Sequence, residues 1–547
     1  MFQKGDYNGF HGFCQGKVIR PILKNTALVS SLTLVSRVLG MIRDMVIAMV
    51  FGAGVLTDLF FIAFRIPDFV RKLLSEGVLG LAVVPAFSRL LQEQGRARAA
   101  HAALSILLRL SAFVTLACTA AMLFMPVIFM WLMPGLGYSS DQGRLCLIMF
   151  QIMIPYMGAL CILTFFMGVL NALEHFTVPA CGPVVFNLVI IGVTVFLSSF
   201  MPEPILAIPV GVTLGGCVQL AMQVPVLMRY GMFRHRTVPR KDLSIGISRV
   251  LTGAAPAAKQ VIASVVGAAG YPINLLVSTL IVSMLESGNV SFLYYSDRLI
   301  QFCLGLFSVS ISIVMLPALS RLRVEEDKNR ITETFLRMVQ YVFFITLPAM
   351  VGLMVLRVQV VELLFCRGAF TMPMVRQTAD CLWYLGMGIW ALAGVRMTVT
   401  LYQVIGGQGH VKGGWPFQAS LTACAVHGVL SWRLTASYGL AGAAAALSLA
   451  AMLQFFLLVI RMDGLWNQAV KVIGRFILKS IIASLIMGGV VTATSALIFI
   501  GNYDTTVLIW GTIGCIGCGV LLYLGIHMCI SRPELAELKQ LIGKRKH

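Results

Sequence analysis

Residues 25–54 read NTALVSSLTLVSRVLGMIRDMVIAMVFGAG, a run long enough to cross a bilayer that carries Arg37, Arg43 and Asp44 within it. On an insertion scale each Arg or Asp near a helix centre costs roughly 2.5–3.5 kcal/mol. Three of them facing lipid would cost on the order of 9 kcal/mol, close to the whole stability of a typical domain. They must therefore face water or one another. Arg37 and Asp44 lie seven residues apart on one helical face, whereas Arg43 is rotated by about 100° from Asp44. No pairing within this helix neutralises both arginines.

The rest of the chain sets the class. Of 547 residues, 58% are hydrophobic and only 12% charged, and the mean hydropathy is +0.89. A soluble domain of this length needs far more polar surface, so the expectation is an all-α polytopic membrane protein. Apolar runs give about fourteen transmembrane helices, with 60–84 and 290–316 as candidates for broken helices. The formal charge of +20 is placed by the loops. Lys and Arg crowd the N-tail, the stretch Arg89 to Arg98, RYGMFRHRTVPRK (229–241), RLRVEEDKNR (321–330) and the tail ending GKRKH. The alternate connections FGAGVLT, MPGLGYSSDQG, SFMPEP, ESGN and GNYDTT are nearly free of them, with Arg367 the main exception. The positive-inside rule puts both termini in the cytoplasm. No polar domain exists to carry a nucleic-acid module, so nucleic acid is not expected as a partner.

An internal repeat organises the spans. VVPAFSRLL (83–91) returns as VMLPALSRL (314–322), with six spans between the copies and the same topology for both. That pattern is expected of two parallel-repeat six-helix lobes related by an axis along the membrane normal, plus two extra C-terminal helices, with a substrate site between the lobes. The layout expected is a cytoplasmic N-terminal tail over 1–26, an N-lobe over 27–230, a basic linker over 231–246 and a C-lobe over 247–462. Residues 463–530 hold the last two helices, and 531–547 form an amphipathic basic tail on the inner leaflet. The first apolar run carries charges after a mixed tail, so no cleavable signal peptide is expected.

The second span repeats the oddity of the first. In TDLFFIAFRIPDFVRKLLSEG (57–77), Asp58, Arg65 and Lys72 share a face at intervals of seven. Asp68 can pair with Lys72, and Lys72 with Glu76, at i,i+4, and Pro67 is expected to kink or break the helix. The corresponding span of the second half, YYSDRLIQF (294–302), brings Asp297 and Arg298. Arg71, Arg109 and Arg396 can each reach water by extending along their own stems. In the set as a whole cations outnumber anions, and guanidinium groups suit phosphate because they stay charged and bind through two parallel hydrogen bonds. The expected site is a central cavity for a phosphate- or carboxylate-bearing substrate.

Catalytic machinery is not in view. The sequence holds no Walker A loop, no HExxH and no GxSxG in a strand–turn–helix setting. Cys515 and Cys518 form a CxxC inside an apolar helix without companion ligands, so no metal is expected. The eight His residues read as dispersed, mostly in loops and the N-tail, with His175 a turn residue. The expectation is a secondary-type transporter rather than an enzyme.

At SRVLGMIRD (36–44), FGAGVLTDLFFIAFRIPDFVRKLLSEG (51–77), GVLNALEHFTVPACGPVVFNLVII (168–191), GVTLGGCVQLAMQVPVL (211–227) and NLLVSTLIVSMLESGNVSFLYYSDRLIQFCLGLFSVSISIVMLPALSR (274–321), the sequence resembles the bacterial lipid II flippases of the MurJ or MviN family. That family lies within the multidrug/oligosaccharidyl-lipid/polysaccharide exporter superfamily. The resemblance runs from about residue 27 to 460 and, with the span count, to about 530. It implies two lobes that rock between inward- and outward-open states in the bacterial inner membrane, carrying the undecaprenyl-diphosphate glycopeptide lipid II from the inner to the outer leaflet for peptidoglycan synthesis. It implies substrate binding by Arg37, Arg43, Arg71 and Arg298, and gating ion pairs at Asp44, Asp58 and Glu76. Asp297, beside Arg298 in the same stretch, joins the gating set.

A lipid-tail groove built with the last two helices is implied as well, with membrane lipids around it and peptidoglycan-synthesis enzymes as candidate partners. No cofactor is implied; the family is associated with membrane potential and, in some members, with a coupling sodium ion. Ser278 stands where many members carry an acidic residue, and Gly406 and Gly407 where an Asp-Thr pair is usual, which counts against a sodium site in the second lobe. The alternative is a flippase for another polyprenyl-diphosphate-linked oligosaccharide. A drug/cation antiporter fits less well, because a cationic cavity repels cationic cargo.

Overall fold

The computed structural model of the chain describes residues 19–74, 79–132, 140–233, 269–319, 328–406, 415–461, 465–501 and 503–530. Among them every regular element is a helix. Backbone groups in a bilayer must be satisfied within their own segment, and a helix does this. The N-tail up to residue 18, Glu76, most of the basic linker, residues 320–322 of the second repeat copy, Gly407 and the C-terminal tail lie outside the described residues.

The chain divides into two compact units: Met1–Arg43, Leu74–Met125 and Ile148–Ala258 in the first, and Asp44–Leu73, Pro126–Leu147 and Lys259–His547 in the second. The first holds the opening part of α1 (Ile19–Phe51), most of α3 (Leu79–Leu132) and of α4 (Asp141–Ala172), and all of α5 (Thr177–Leu197) and α6 (Ala207–Arg229). α5 and α6 pack closely because Gly211 lies against Ile190 and Val193 and Gly215 against the Phe186 ring, where a side chain would have no room. Towards the basic loops, Phe87, Ala99, Phe165, Phe166, Val169 and Leu227 form a buried core. Gly95 interrupts α3 with a φ of 76°, separating the segment that carries the first repeat copy from the apolar stretch that follows.

The second unit holds the end of α1 and α2 (Val55–Leu73), followed by α7 (Ala269–Val282), α8 (Asn289–Leu319), α9 (Lys328–Val355), α10 (Arg357–Phe365), α11 (Met372–Gly386), α12 (Ile389–Gly406), α13 (Trp415–Ile460), α14 (Leu465–Ile498) and α15 (Thr505–Ile530). α2 continues through Pro67 and ends at Leu73, with α3 beginning at Leu79, while α8 is unbroken across 290–316, against the expectation of an interrupted helix there. Proline removes one donor and crowds one carbonyl, and here the helix goes on past it. The interruption falls elsewhere: α11 and α12 meet at a bend of 48°, and Gly439, at φ 58° and ψ −137°, divides α13. α14 packs against α9 and α15 around Leu356, Ala483, Met487, Val491 and Tyr523. Among the described residues eight helices are long and apolar enough to cross a membrane, nine if the bent pair counts as one. α1, α2 and α8 fall outside that set, and each carries charge within its span.

Two connections, at residues 52–54 and 366–371, lock together. The Ala369 N–H donates to Met49 O at 2.9 Å, and Gly52 (φ 70°) and Gly368 (φ 58°) both sit in the left-handed region. A Cβ at Gly52 would lie 2.7 Å from Ala369 O, a backbone atom that cannot turn aside. Gly52→Ala should therefore cost about 1–3 kcal/mol through the unfavourable φ alone, with the collision added. Thermal unfolding of the purified variant checks this; an unchanged midpoint would contradict the packing.

Beside α15, the Tyr503 hydroxyl donates to Glu362 Oε2 at 2.8 Å. Partial burial first, and then the neighbouring carboxylate, push the phenol from its ordinary 10 up to about 12. A raised pKa means that this contribution to stability is complete below about pH 10 and is lost as pH climbs through about 12. Tyr503→Phe should remove that alkaline component from the pH dependence of thermal stability and leave neutral pH nearly unaffected.

Candidate functional site

Arg43 and Asp44 are neighbours in sequence and belong to different units. In the first unit Arg43, 6% exposed, donates through Nη1 to Asn187 Oδ1 on α5 at 3.3 Å. Asn187 in turn donates Nδ2–H to the Ser36 carbonyl at 3.1 Å, so an amide inside an apolar stretch of α5 is what receives the guanidinium. Arg37 sits nearly two turns before Arg43 on α1 and is half-buried. The 100° offset between positions 43 and 44 is what sends the two charges in different directions.

In the second unit Asp44 is fully buried and forms an ion pair with Arg298 on α8, Nε to Oδ2, at 2.5 Å. The Tyr294 hydroxyl, one turn earlier on α8, adds a longer bond to Asp44 Oδ1 at 3.4 Å. The Arg298 side chain is 30% exposed, so its guanidinium is held by a buried anion and still accessible. A charged pair of this kind loses its solvation and is held by mutual attraction.

Asp58 meets no cation among its bonds. It binds the start of α8: Oδ2 accepts the Gly288 N–H at 2.6 Å, and Oδ1 accepts the Ser291 N–H at 2.8 Å and the Ser291 hydroxyl at 2.5 Å. A carboxylate on the unsatisfied amides of a helix N-terminus is stabilised by hydrogen bonding and by the helix dipole. Asp58 therefore holds backbone and hydroxyl, where the resemblance implied a gating ion pair. Phe61 stacks on Tyr294 with centroids 3.8 Å apart, fixing α2 against α8.

Further along α2, Arg65 is 4% exposed. Its Nε–H donates to Thr279 Oγ1 on α7 at 2.9 Å, and its guanidinium lies 5.7 Å from the Tyr294 ring centre. Its Nη2 has no hydrogen-bond partner among the described residues. Asp68 takes both following cations, Arg71 at 2.6 Å and Lys72 at 2.9 Å, the latter at the i,i+4 spacing expected. Arg71 is thereby tied within its own helix.

Asp297, adjacent to Arg298, points elsewhere. It accepts from the Tyr271 hydroxyl at 2.6 Å and from Gln301 Nε2 at 3.3 Å, and Arg396 of α12 donates to Gln301 Oε1 at 2.6 Å. Arg396 is thus engaged rather than simply extended to water. The sequence reading missed Asn187, Ser291, Thr279, Tyr271 and Gln301. Each is a polar residue in an apolar span, and that was the available signal. It also gave no place to His427 in α13 and His527 in α15, which are buried inside helices, while His175 does lie in the turn between α4 and α5. Among the described residues no group of His, Cys, Asp and Glu could hold a metal ion.

The helical architecture is shared with transporters of the MOP superfamily. A multidrug resistance MATE family transporter in its inward-facing conformation aligns with a TM-score of 0.61 at 13% identity, over 81% of this chain and 99% of that one. Likeness is greater to a lipid II flippase MurJ in an inward closed conformation, at a TM-score of 0.74 and 24% identity, over 93% of this chain and all of that one. These likenesses define the fold class, an all-helical polytopic membrane protein.

The family is fixed by sequence. The model of the family described as "Lipid II flippase MurJ" matches residues 47–514. The "Probable lipid II flippase MurJ" of Vibrio cholerae is 31% identical over 95% of this chain and 98% of its own length. That of Buchnera aphidicola from Acyrthosiphon pisum is 30% identical over 85% and 89%. The chain belongs to the lipid II flippase MurJ family.

Proposed function

We propose that this chain is a lipid II flippase, moving the undecaprenyl-diphosphate-linked peptidoglycan precursor from the inner to the outer leaflet of the bacterial inner membrane by alternating access. Family membership supplies the substrate class. The observation that carries the reading is Arg298, a guanidinium anchored on the buried Asp44 within a helix span and still 30% exposed. Asp44 takes Nε of the permanently charged fork, and a diphosphate suits guanidinium donors through paired hydrogen bonds. Arg37, Arg43 and Arg71 complete the proposed substrate contacts, and Arg65 adds a buried cation.

In this reading the membrane domain has about fourteen spans, as two six-helix lobes and a C-terminal pair flanking the lipid tail, with both termini cytoplasmic. Asp58 on the start of α8 acts as the latch on the export side. Arg298 exchanges Asp44 for the substrate diphosphate during the cycle, and Asp297 holds α8 to α7 through Tyr271.

The test is lipid II exposed at the outer leaflet of bacteria depleted of their own flippase and expressing this chain. Exposure should return with the wild-type chain and fall at least tenfold with Arg43→Ala, which removes the charge that Asn187 now orients. Good membrane expression without exposed lipid II would shift the substrate to another polyprenyl-diphosphate-linked oligosaccharide.

A further inference from the structure

A polar cluster apart from the charged residues above lies where α9 gives way to α10. The apolar span of α9, Leu336–Val355, ends two residues before Arg357, which opens α10. α10 runs beside α11 in the opposite direction. Its first residue, Arg357, lies over the half-buried Trp383 near the end of α11, with the guanidinium 4.8 Å from the ring centre. Its last, Phe365, meets Phe370 just before α11 begins, with centroids 5.8 Å apart. Charge and indole thus meet at the level where the apolar span stops, the depth at which Trp favours the headgroup layer of a bilayer.

The cluster holds a cation and an anion that do not complete one another. Arg357 donates through Nη1 to the Met354 carbonyl at 3.2 Å. Its Nε is shielded from water without a hydrogen-bond partner among the described residues, because Asp380 Oδ1 stands off at 3.9 Å, beyond hydrogen-bond reach. The two side chains are 31% and 67% exposed. Arg376, exposed four residues before Asp380, has the spacing for an ion pair, yet the carboxylate faces Arg357 instead. A half-satisfied guanidinium beside an open carboxylate is what a dipolar guest requires.

We propose that this cluster binds the headgroup of a phosphatidylethanolamine in the adjoining leaflet, with the phosphate on Arg357 and the ammonium on Asp380. In the orientation given above that leaflet is the outer one. Order and sign both fit. Asp380 precedes Trp383 by three residues, so it shares a helical face with the indole and lies about 4.5 Å nearer the start of α11, farther from the apolar span. In this lipid the ammonium is carried two carbons beyond the phosphate, so its cation is outermost. The guanidinium, laid on the indole, is held by the ring and offers phosphate a charged fork. An anionic glycerol headgroup would suit Arg357 and leave Asp380 facing its own sign of charge. A choline headgroup brings a cation that cannot donate a hydrogen bond. Ethanolamine answers both side chains, and a headgroup so held ties α10 to α11 beneath the connection whose Ala369 N–H bonds Met49. The proposal needs the membrane spans alone and is independent of the cargo.

Two measurements on the full chain test the proposal. Carbon–phosphorus NMR of arginine-labelled protein in nanodiscs of phosphatidylethanolamine, phosphatidylcholine or phosphatidylglycerol asks whether lipid phosphorus lies against the guanidinium, with Arg357→Gln assigning the signal. Native mass spectrometry then compares binding of the three lipids, and the part lost in Arg357→Gln belongs to this site. The wild-type chain should show the phosphorus contact with phosphatidylethanolamine. It should prefer that lipid to phosphatidylglycerol by about two- to fivefold, the worth of one partly exposed charge pair. Asp380→Asn should keep the contact and lose the preference. Equal binding of the two lipids by the wild-type chain, an unaltered preference in Asp380→Asn, or no phosphorus contact at Arg357 would overturn the proposal. Displacement of the lipid contact by inorganic phosphate would overturn it too, because Arg357 would then be a site for free anions.

Discussion

Arg298→Ala should abolish lipid II exposure in cells and lower the stability of the chain at the same time. The variant removes the 2.5 Å ion pair from an Asp44 that is fully buried and keeps the longer 3.4 Å bond from Tyr294. Removing one partner of a buried pair costs about 3–5 kcal/mol, because the stranded charge keeps its desolvation penalty. Loss of transport by this variant alone would therefore not separate binding from folding. The double variant Asp44→Asn with Arg298→Gln does so: the buried charge is gone, an amide pair remains, and stability should return to within about 1–2 kcal/mol of the parent. Exposure of lipid II should stay absent, because the fork that receives the diphosphate is gone. Wild-type exposure in that double variant would refute the substrate role of Arg298. Arg298→Lys should fall between, since an ammonium keeps the charge and loses the two-pronged geometry.

Asp58→Ala should have the second largest effect, by a different route. It strands the Gly288 and Ser291 amides and frees the Ser291 hydroxyl, at about 1–3 kcal/mol for each donor left without an acceptor. The first turn of α8 should fray, visible as faster hydrogen exchange over residues 288–292, and lipid II exposure should drop at least tenfold because the closed side no longer closes. Asp58→Asn keeps one acceptor oxygen and should retain an intermediate level of protection. Unchanged exchange in Asp58→Ala would show that the start of α8 does not depend on α2.

How far these sites could be read in the sequence follows from the kind of partner each one has. Arg43 and Asp44 announce themselves because charge inside an apolar run must be compensated, and the spacing along α1 already showed that no pairing within that helix neutralises both Arg37 and Arg43. Lys72 with Asp68 was legible because i,i+4 neighbours meet on any helix. That Asp44 meets Arg298, two hundred and fifty-four positions away, depends on which helices pack together, and neither local spacing nor composition carries that. Asp58 was harder still, since half of what it binds is backbone, which leaves no letter in the sequence. Pro67 was expected to kink or break α2, and the helix runs on past it. His427 passed for one scattered histidine because its partner, Ser278, lies 149 positions away.

The bond between Asp58 and the start of α8 also bears on how the chain is made. A helix capped by its own preceding residue can close its first turn as soon as it leaves the ribosome. Here the acceptor lies 230 positions upstream of Gly288, so α2 is already in place when α8 emerges and its terminus waits for the amides. A fragment begun downstream of Asp58 would have to form α8 without the acceptor for its opening turn.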